Sequence, residues 1–462
     1  MTAWLARALD FRRGEAPLAS LASLFHFCVL AGYGFLKPVR DAMGVSRGMD
    51  ELRWLFVATS IASLAFVLAF GGVVSRTNRR RFIPIAYLFV IACLLAFAGL
   101  LVVDAQAGGG LIGSDSETAV ARGVGYAFYV WLSVINLFIT SVLWAFMVDL
   151  FGVEQGKRLF AFIGVGGTLG ALFGSTVTGA VSRWTESAYL PVGLMLTGAV
   201  LFGAAIAVML WLDRVARRSE AAKLSISSAA SAARQVSAAA DERIGGSFLE
   251  GLTAVVRSPY LLGIGGHIVL MAVSNTLIYF SGAHIVLANA VTFNERVRDF
   301  AQFDFLAQGA TLFTQLFITS RLIRRLGVGW TLAILPIVTL SGFAALAIWP
   351  VFGVMAVFQA LQRATRYAVA RPSRETLFSV VPPSEKYKAK PVIDVFLYRG
   401  GDLTGTGLEA LLTRHALGLA GLAAATLPMT LAWTALSLAM GRAQARRAIP
   451  GPGQHSPPGR AN

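Results

Sequence analysis

Charge is scarce in this chain, and acidic charge is scarcest. Charged residues make up 14% of the 462, and 40 Lys and Arg face 24 Asp and Glu. Cysteine occurs twice, and Cys28 and Cys93 both fall inside apolar runs, so no redox chemistry is readable from them. His26, His267 and His284 are scattered without ligand spacing, which leaves no metal site and no metal cofactor to expect. The chain has no glycine-rich phosphate loop and no catalytic triad pattern, so neither a nucleotidase nor another enzyme is indicated. A cleavable secretory signal is also missing: the first apolar run is too long and lacks a small-residue cleavage site.

What the chain has instead is apolar length. It is 56% hydrophobic with a mean hydropathy of +0.66. About 20 apolar residues cross the hydrocarbon core as a helix. Lipid offers backbone groups no partner, so such runs cross as helices. Twelve spans are expected, at 17–37, 52–74, 82–104, 124–148, 158–181, 189–212, 259–287, 300–320, 328–350, 351–371, 389–412 and 417–440. Basic residues collect in alternate gaps, as at Arg76, Arg79, Arg80 and Arg81, or at Lys386, Lys388 and Lys390, while the other gaps hold far fewer. Cytoplasmic loops carry that excess, which puts both termini inside a bacterial inner membrane. The net charge of +16 is therefore a topology signal and a match to anionic headgroups. Spread over short loops, it does not indicate nucleic-acid binding.

The expected fold is all-α, twelve transmembrane helices in two six-helix halves. Residues 1–213 form the first half and 259–441 the second. Between them, 214–258 is a cytoplasmic linker with a short interfacial helix suggested by Phe248, Leu252, Val255 and Val256. The Pro/Gly-rich end, within 442–462, reads as a disordered cytoplasmic tail. The halves echo each other. Arg76-x-x-Arg79-Arg80 follows the second span and Arg321-x-x-Arg324-Arg325 the eighth. Glu154/Lys157 follows the fourth and Glu385/Lys388 the tenth, each succeeded by a Gly-Gly pair, Gly166-Gly167 and Gly400-Gly401. Six plus six with internal similarity is the layout of the major facilitator fold. Gly72 to Arg80 resembles that fold's loop signature, with Ser75 where the signature carries an acid.

Ionisable groups inside spans are costly and point to function. Lys37, Arg40 and Asp41 stand at the outer end of span one, either as a site or as an interfacial cap. Arg363, Arg366, Arg371 and Arg374 lie on span ten and its inner end. At 100° per residue all four fall within about 140°, and Arg363 lies about 18 Å in from the outer end. A site is expected there, with a structural ion pair as the alternative. Span eleven carries Asp394, Arg399 and Asp402, the last two spaced to neutralise each other. Asn136, with Thr140 and Ser141, and Asn275 with Tyr279 offer hydrogen bonds to a ligand or between helices. Gly164, Gly166, Gly167, Gly170 and Gly174 on span five permit close helix packing. Lys37, Arg40, Arg363, Arg366 and Arg399 outnumber Asp41, Asp394 and Asp402, so the cavity should favour an anion, and clustered arginines suit phosphate.

Several segments together resemble the nucleotide transporter family, the ATP/ADP antiporter-like branch of the major facilitator superfamily. They are Leu36-Lys37-Pro38-Val39-Arg40-Asp41, Trp144 to Asp149 with Glu154-Gln-Gly-Lys157-Arg158-Leu-Phe160, Ser258 to Gly263, Ala370 to Glu375, and Tyr387 to Asp394 with Tyr398-Arg399-Gly400-Gly401-Asp402. The resemblance implies a secondary transporter working by alternating access, and it maps the family's first-helix cation to Arg40. Where established ATP/ADP exchangers carry an acid on span four, Trp131-Leu132-Ser133 stands here; their span-eleven lysine finds Arg399 or Asp402 nearby. The expected substrate is a nucleotide or related phosphorylated anion, exchanged or ion-coupled, by a monomer. Lys37, Arg40, Arg363, Arg366, Arg399, Asn136, Asn275 and Tyr279 would bind it. Asp41, Asp394, Asp402, Arg76, Arg79, Glu154, Lys157, Glu385 and Lys388 would gate or couple. Two rival readings are a proton-coupled exporter of an amphipathic compound and a non-transporting receptor or assembly factor.

Overall fold

A computed structural model of the chain describes residues 15–74, 79–110, 112, 116–151, 153–227, 248–415 and 418–448. Those residues are helical at each of the twelve expected places, and no strand occurs among them. The helices are α1 (Glu15–Val45), α2 (Met49–Val74), α3 (Arg79–Gln106), α4 (Ala119–Leu150), α5 (Val153–Trp184), α6 (Leu190–Ser227), α7 (Phe248–Arg257), α8 (Pro259–Asn289), α9 (Phe293–Phe317), α10 (Thr319–Ile348), α11 (Phe352–Ala364), α12 (Arg371–Leu377), α13 (Pro383–Pro391), α14 (Tyr398–Arg414), α15 (Leu419–Ala425) and α16 (Leu427–Ala448). Among the described residues eight helices are long and apolar enough to cross a membrane: α1, α3, α4, α5, α6, α8 and α10, and a stretch from Leu419 to Arg447.

The chain divides into two compact units. The first contains residues 1–242 and 282–312, the second 243–281 and 313–462. Residues 282–312 thus group with the first unit rather than following the linker boundary expected from composition.

In the first unit α1 is the central element, with its fully buried Phe25, Leu36 and Val39 packed among α4, α5 and α6. Glycine sets the α1–α5 distance. A Cβ on Gly170 would strike the Phe27 backbone, one on Gly166 the Ser23 backbone and one on Gly167 the His26 ring, whereas Gly164 faces open space. Helices that touch at glycine approach closely, and dispersion then holds them.

The second unit repeats the device. Gly401 and Gly405 of α14 back onto Val269, Ala272, Val273 and Thr276 of α8. Its core gathers Tyr260, Leu261, Ile264, Leu332, Leu377, Phe378 and Trp433. The expected interfacial helix is α7, yet it does not lie free: Val255 is buried beside Ala389, Val392 and Ile393, while Val256 remains exposed. Gly327, at φ 70°, breaks α10 into two pieces, a left-handed conformation that costs glycine nothing.

Two spans are less regular than periodicity predicts. Span ten passes from α11 into a π-helix at Thr365–Ala370, and span eleven runs from α13 through a π-helix at Val392–Leu397 into α14. Single π turns cluster at functional sites. They also remove the basis of the wheel drawn for the four arginines, because the 100° step does not hold across Thr365–Ala370.

Candidate functional site

Each unit holds a polar cluster built from the candidate residues. In the first, Lys37, Arg40 and Asp41 lie on the last third of α1. Arg40 donates to Asp41 through Nε at 2.9 Å and through Nη2, and to Ser133 Oγ of α4 at 3.2 Å. Its guanidinium carbon stands 5.2 Å from the centre of the Tyr129 ring, an attraction to the ring face. Lys37 Nζ donates to Asp41 Oδ2 at 3.1 Å and to both carboxylate oxygens of Asp304 on α9, each at 2.7 Å. The Asp41 side chain is 1% exposed and that of Asp304 7%.

Sequence reasoning missed Asp304. It lies among Phe300, Phe303 and Phe305 on a helix whose amphipathic signal is weak, and nothing in its spacing ties it to Lys37. Its presence corrects the charge balance: Lys37 and Arg40 face two carboxylates, so this cluster has no positive surplus. The signal that could have found it is the cost of an acid in mid-span. Asn136 is half-buried on α4, and Tyr279 stands edge-on to Phe280.

In the second unit Asn275 of α8 accepts from Gln362 Nε2 of α11 at 2.6 Å, and Thr276 donates to Asp402 Oδ1 at 3.2 Å. Gly401 and Gly405 make the second bond reachable by seating α14 against α8. Arg399 and Asp402 form the expected local pair, at 3.0 Å. Arg363 donates to Gln359 at 3.1 Å. Arg366 lies over the Tyr367 ring at 4.5 Å and donates to its hydroxyl at 2.6 Å. Tyr398 sits within the electrostatic reach of Asp402, Arg366, Tyr367 and Arg399, which places these five groups in one neighbourhood. Further along, Arg374 faces Asp394 at 3.5 Å and Glu375 at 3.6 Å, and Lys390 holds Glu375 at 2.5 Å. Asp394 is thereby tied to Arg374 rather than to Arg399. Glu409, fully buried on α14, also escaped sequence reasoning; Thr413 donates to it at 3.1 Å.

Arg76 lies outside the described residues, as do the side chains of Arg79, Glu154 and Lys157. Glu385 is exposed and Lys388 half-buried on α13. Among the described residues no group of His, Cys, Asp or Glu could hold a metal ion. His26 is engaged with the Ile163 carbonyl, and His267 with Trp433 and Ser437. A cavity of about 600 Å³ opens in the first unit between Phe35, Phe173, Val181, Tyr189 and Leu201. Its walls are mostly apolar, with a few hydroxyls such as Thr185 and Thr197, and carry none of the charged residues above.

Residues 118–344 match the model of the TLC ATP/ADP transporter family. The stretch includes Trp144 to Phe160 and Ser258 to Gly263, two of the segments that carry the resemblance to nucleotide transporters. The protein is a multi-pass membrane transporter and not an enzyme. Its substrate is a small molecule. No curated protein matches the chain in sequence.

Solved structures share its fold. A bacterial homologue of the iron transporter ferroportin, in an inward-facing state, superposes with a TM-score of 0.58 at 12% identity, covering 94% of this chain and 99% of that one. An autoinhibited POT family peptide transporter gives 0.57 at 14%, covering 96% and 99%. The nucleoside transporter NupG gives 0.54 at 14%, covering 93% and 98%. At such identities these likenesses establish the major facilitator architecture alone.

Proposed function

We propose that this transporter moves a nucleotide or a related organophosphate anion by alternating access, as a monomer of twelve spans in two six-helix halves. The observation that carries the reading is the guanidinium cluster of the second unit. Arg363, Arg366 and Arg399 sit beside neutral donors and two tyrosines, with Asp402 already paired. A multiply charged phosphate needs several planar donors, and arginine supplies them in pairs. Lys37 and Arg40 are the anion-binding candidates of the first unit, and Asp41 and Asp402 the gate or coupling candidates of their respective units. The family match supports the nucleotide. The basic inner loops support a bacterial inner membrane with both termini cytoplasmic.

The test is uptake of labelled ATP and ADP into proteoliposomes, with and without unlabelled nucleotide inside. Uptake that needs internal nucleotide establishes exchange. No uptake of either by folded protein assigns the fold to another anion.

One observation favours a second reading. Asp304 and Glu409 are buried acids beyond those counted from sequence, and deep acids are what a proton-coupled exporter uses. Efflux that rises with an imposed proton gradient and ignores nucleotide would select it.

A further inference from the structure

The cavity of the first unit is drawn out along two helices. Phe173, Val177 and Val181 line it on α5, and Leu190, Leu194 and Leu201 on α6. Spacings of four and seven residues put each set on one helix face. Leu190 to Leu201 covers about 16 Å at 1.5 Å per residue. Thr197, midway along, donates to the Gly193 carbonyl of its own helix at 2.8 Å, so its hydroxyl is already spent.

Polar groups gather at one end instead. Thr185, Ser187 and Tyr189 line the groove where α5 gives way to α6. Asn294 of α9 pins this rim, donating to the Thr185 carbonyl at 2.8 Å and to the Ser187 carbonyl at 3.3 Å. Arg183, Trp184 and Glu186 stand exposed beside it in sequence. The groove is also open along its side: Val200 and Phe173 both line it, yet they are 72% and 45% exposed. On a multi-pass membrane protein such a face meets lipid.

We propose that this groove is a binding site for a phospholipid, with one acyl chain between α5 and α6 and the headgroup on the Thr185–Tyr189 rim. Its volume of about 600 Å³ lies within the range of small-ligand sites. Apolar walls give water too few partners to hold it. Left empty, they forfeit dispersion contacts that a hydrocarbon chain supplies. The bilayer offers that chain along the open side. Trp184 and Tyr189 suit the headgroup level, where aromatic residues concentrate. Arg183 and Glu186 carry one charge of each sign, matching the phosphate and the ammonium of phosphatidylethanolamine. The proposal is independent of the transported substrate.

Glycine makes the groove testable. A Cβ on Gly193, in its wall, meets nothing within 4 Å, so a larger side chain there grows into free space. Gly203 of α6 is equally open and lies outside the groove's walls, which makes it the control.

The experiment purifies wild type, G193F and G203F in mild detergent, strips them of lipid, and offers palmitoyl-oleoyl phosphatidylethanolamine. Native mass spectrometry then counts the lipid retained. Wild type and G203F should each keep one phospholipid. Occupancy in G193F should be about tenfold lower, as a tenfold weaker affinity would give. Added lipid should raise the melting temperature of wild type and G203F and leave that of G193F unmoved. If G193F is not monodisperse, G193L fills the groove with a smaller side chain and carries the same comparison. Equal retention in wild type and the filled variant overturns the proposal. A retained mass that matches no phospholipid overturns it in favour of another apolar compound. A dimer that dissociates in G193F overturns it in favour of a second copy of the chain.

Discussion

Replacing Gly170 by Ala adds one methyl group to a helix and should nonetheless loosen the first unit. A Cβ built at Gly170 lies 2.9 Å from both the carbonyl carbon and the Cα of Phe27, and closer still to its oxygen. Carbon atoms rest at about 3.5–4.0 Å. The obstacle is backbone, which cannot rotate aside, so α1 and α5 must part locally by at least about 0.6 Å. Overpacking of this kind costs about 1–3 kcal/mol. Alanine also favours a helix over glycine by about 1 kcal/mol, so the single variant understates the clash. Gly164 separates the two effects, because its Cβ meets nothing within 4 Å. G164A should gain the propensity and suffer no clash. The assay is thermal unfolding of detergent-purified protein, followed as loss of the monodisperse peak. G170A should melt clearly below wild type and G164A at or above it. If G170A melts no lower than G164A, the glycine seam does not set the helix distance and the packing argument is wrong.

Arg363→Ala should abolish stabilisation by added ATP, while its bond to Gln359 lies within its own helix and its loss should lower the unliganded melting temperature little; persistence of the ATP-induced shift would misplace the site. Gly327→Ala, at φ 70°, forces an L side chain into the left-handed region, which costs about 1–2 kcal/mol, and a melting temperature equal to wild type would show that the kink relaxes. Glu295 caps α9: it accepts from the N–H groups of Thr292 and Val291, while its own N–H donates to Thr292 Oγ1. The Thr292 and Val291 amides hold its carboxyl below its ordinary 4.5, so the cap contributes above that value and is lost as pH falls below it. Wild type should thus lose stability between pH 5 and pH 3 more steeply than Glu295→Gln in paired melting curves, and parallel curves would contradict the cap.

Much of the fold was legible because hydrophobic length is a strong signal. Each expected span coincides with helix, and Gly166, Gly167, Gly170 and Gly174 of span five do meet α1, whereas Gly164 does not. The Gly-Gly echo also had structural content: Gly167 and Gly401 both press the fifth helix of a six-span set onto the first. The interruptions were not legible. Nothing in Thr365–Ala370 or Val392–Leu397 marks a π turn, since an added residue per turn depends on what the helix packs against. Local pairs such as Arg399 with Asp402 follow from spacing, and their prediction needed no tertiary information. Lys37 with Asp304 is the opposite case, two residues 267 positions apart whose meeting depends wholly on topology. Counting Lys37 as free positive charge was the error that followed.

The two polar clusters occupy matching places in their units. In the first unit Arg40 of the first span meets Ser133 and Tyr129 of the fourth. In the second unit Asn275 of the seventh span meets Gln362 of the tenth. Counted within each set of six, both are contacts of the first helix with the fourth, and in both the fifth helix is drawn in by glycine. Duplicated scaffolds place side chains at equivalent positions, and the chemistry then diverges. Here it has diverged in charge. The first-unit cluster balances two cations against two acids, whereas the second gathers Arg363, Arg366 and Arg399 around the single neighbouring carboxylate of Asp402. An anion therefore finds standing attraction in the second unit and must compete for its cations in the first. That asymmetry makes the second cluster the one open to an anion without rearrangement of its own ion pairs. It also assigns different consequences to the two clusters. Loss of an arginine in the second should weaken anion affinity, while loss of the Asp304 carboxylate in the first frees Lys37 and should strengthen it.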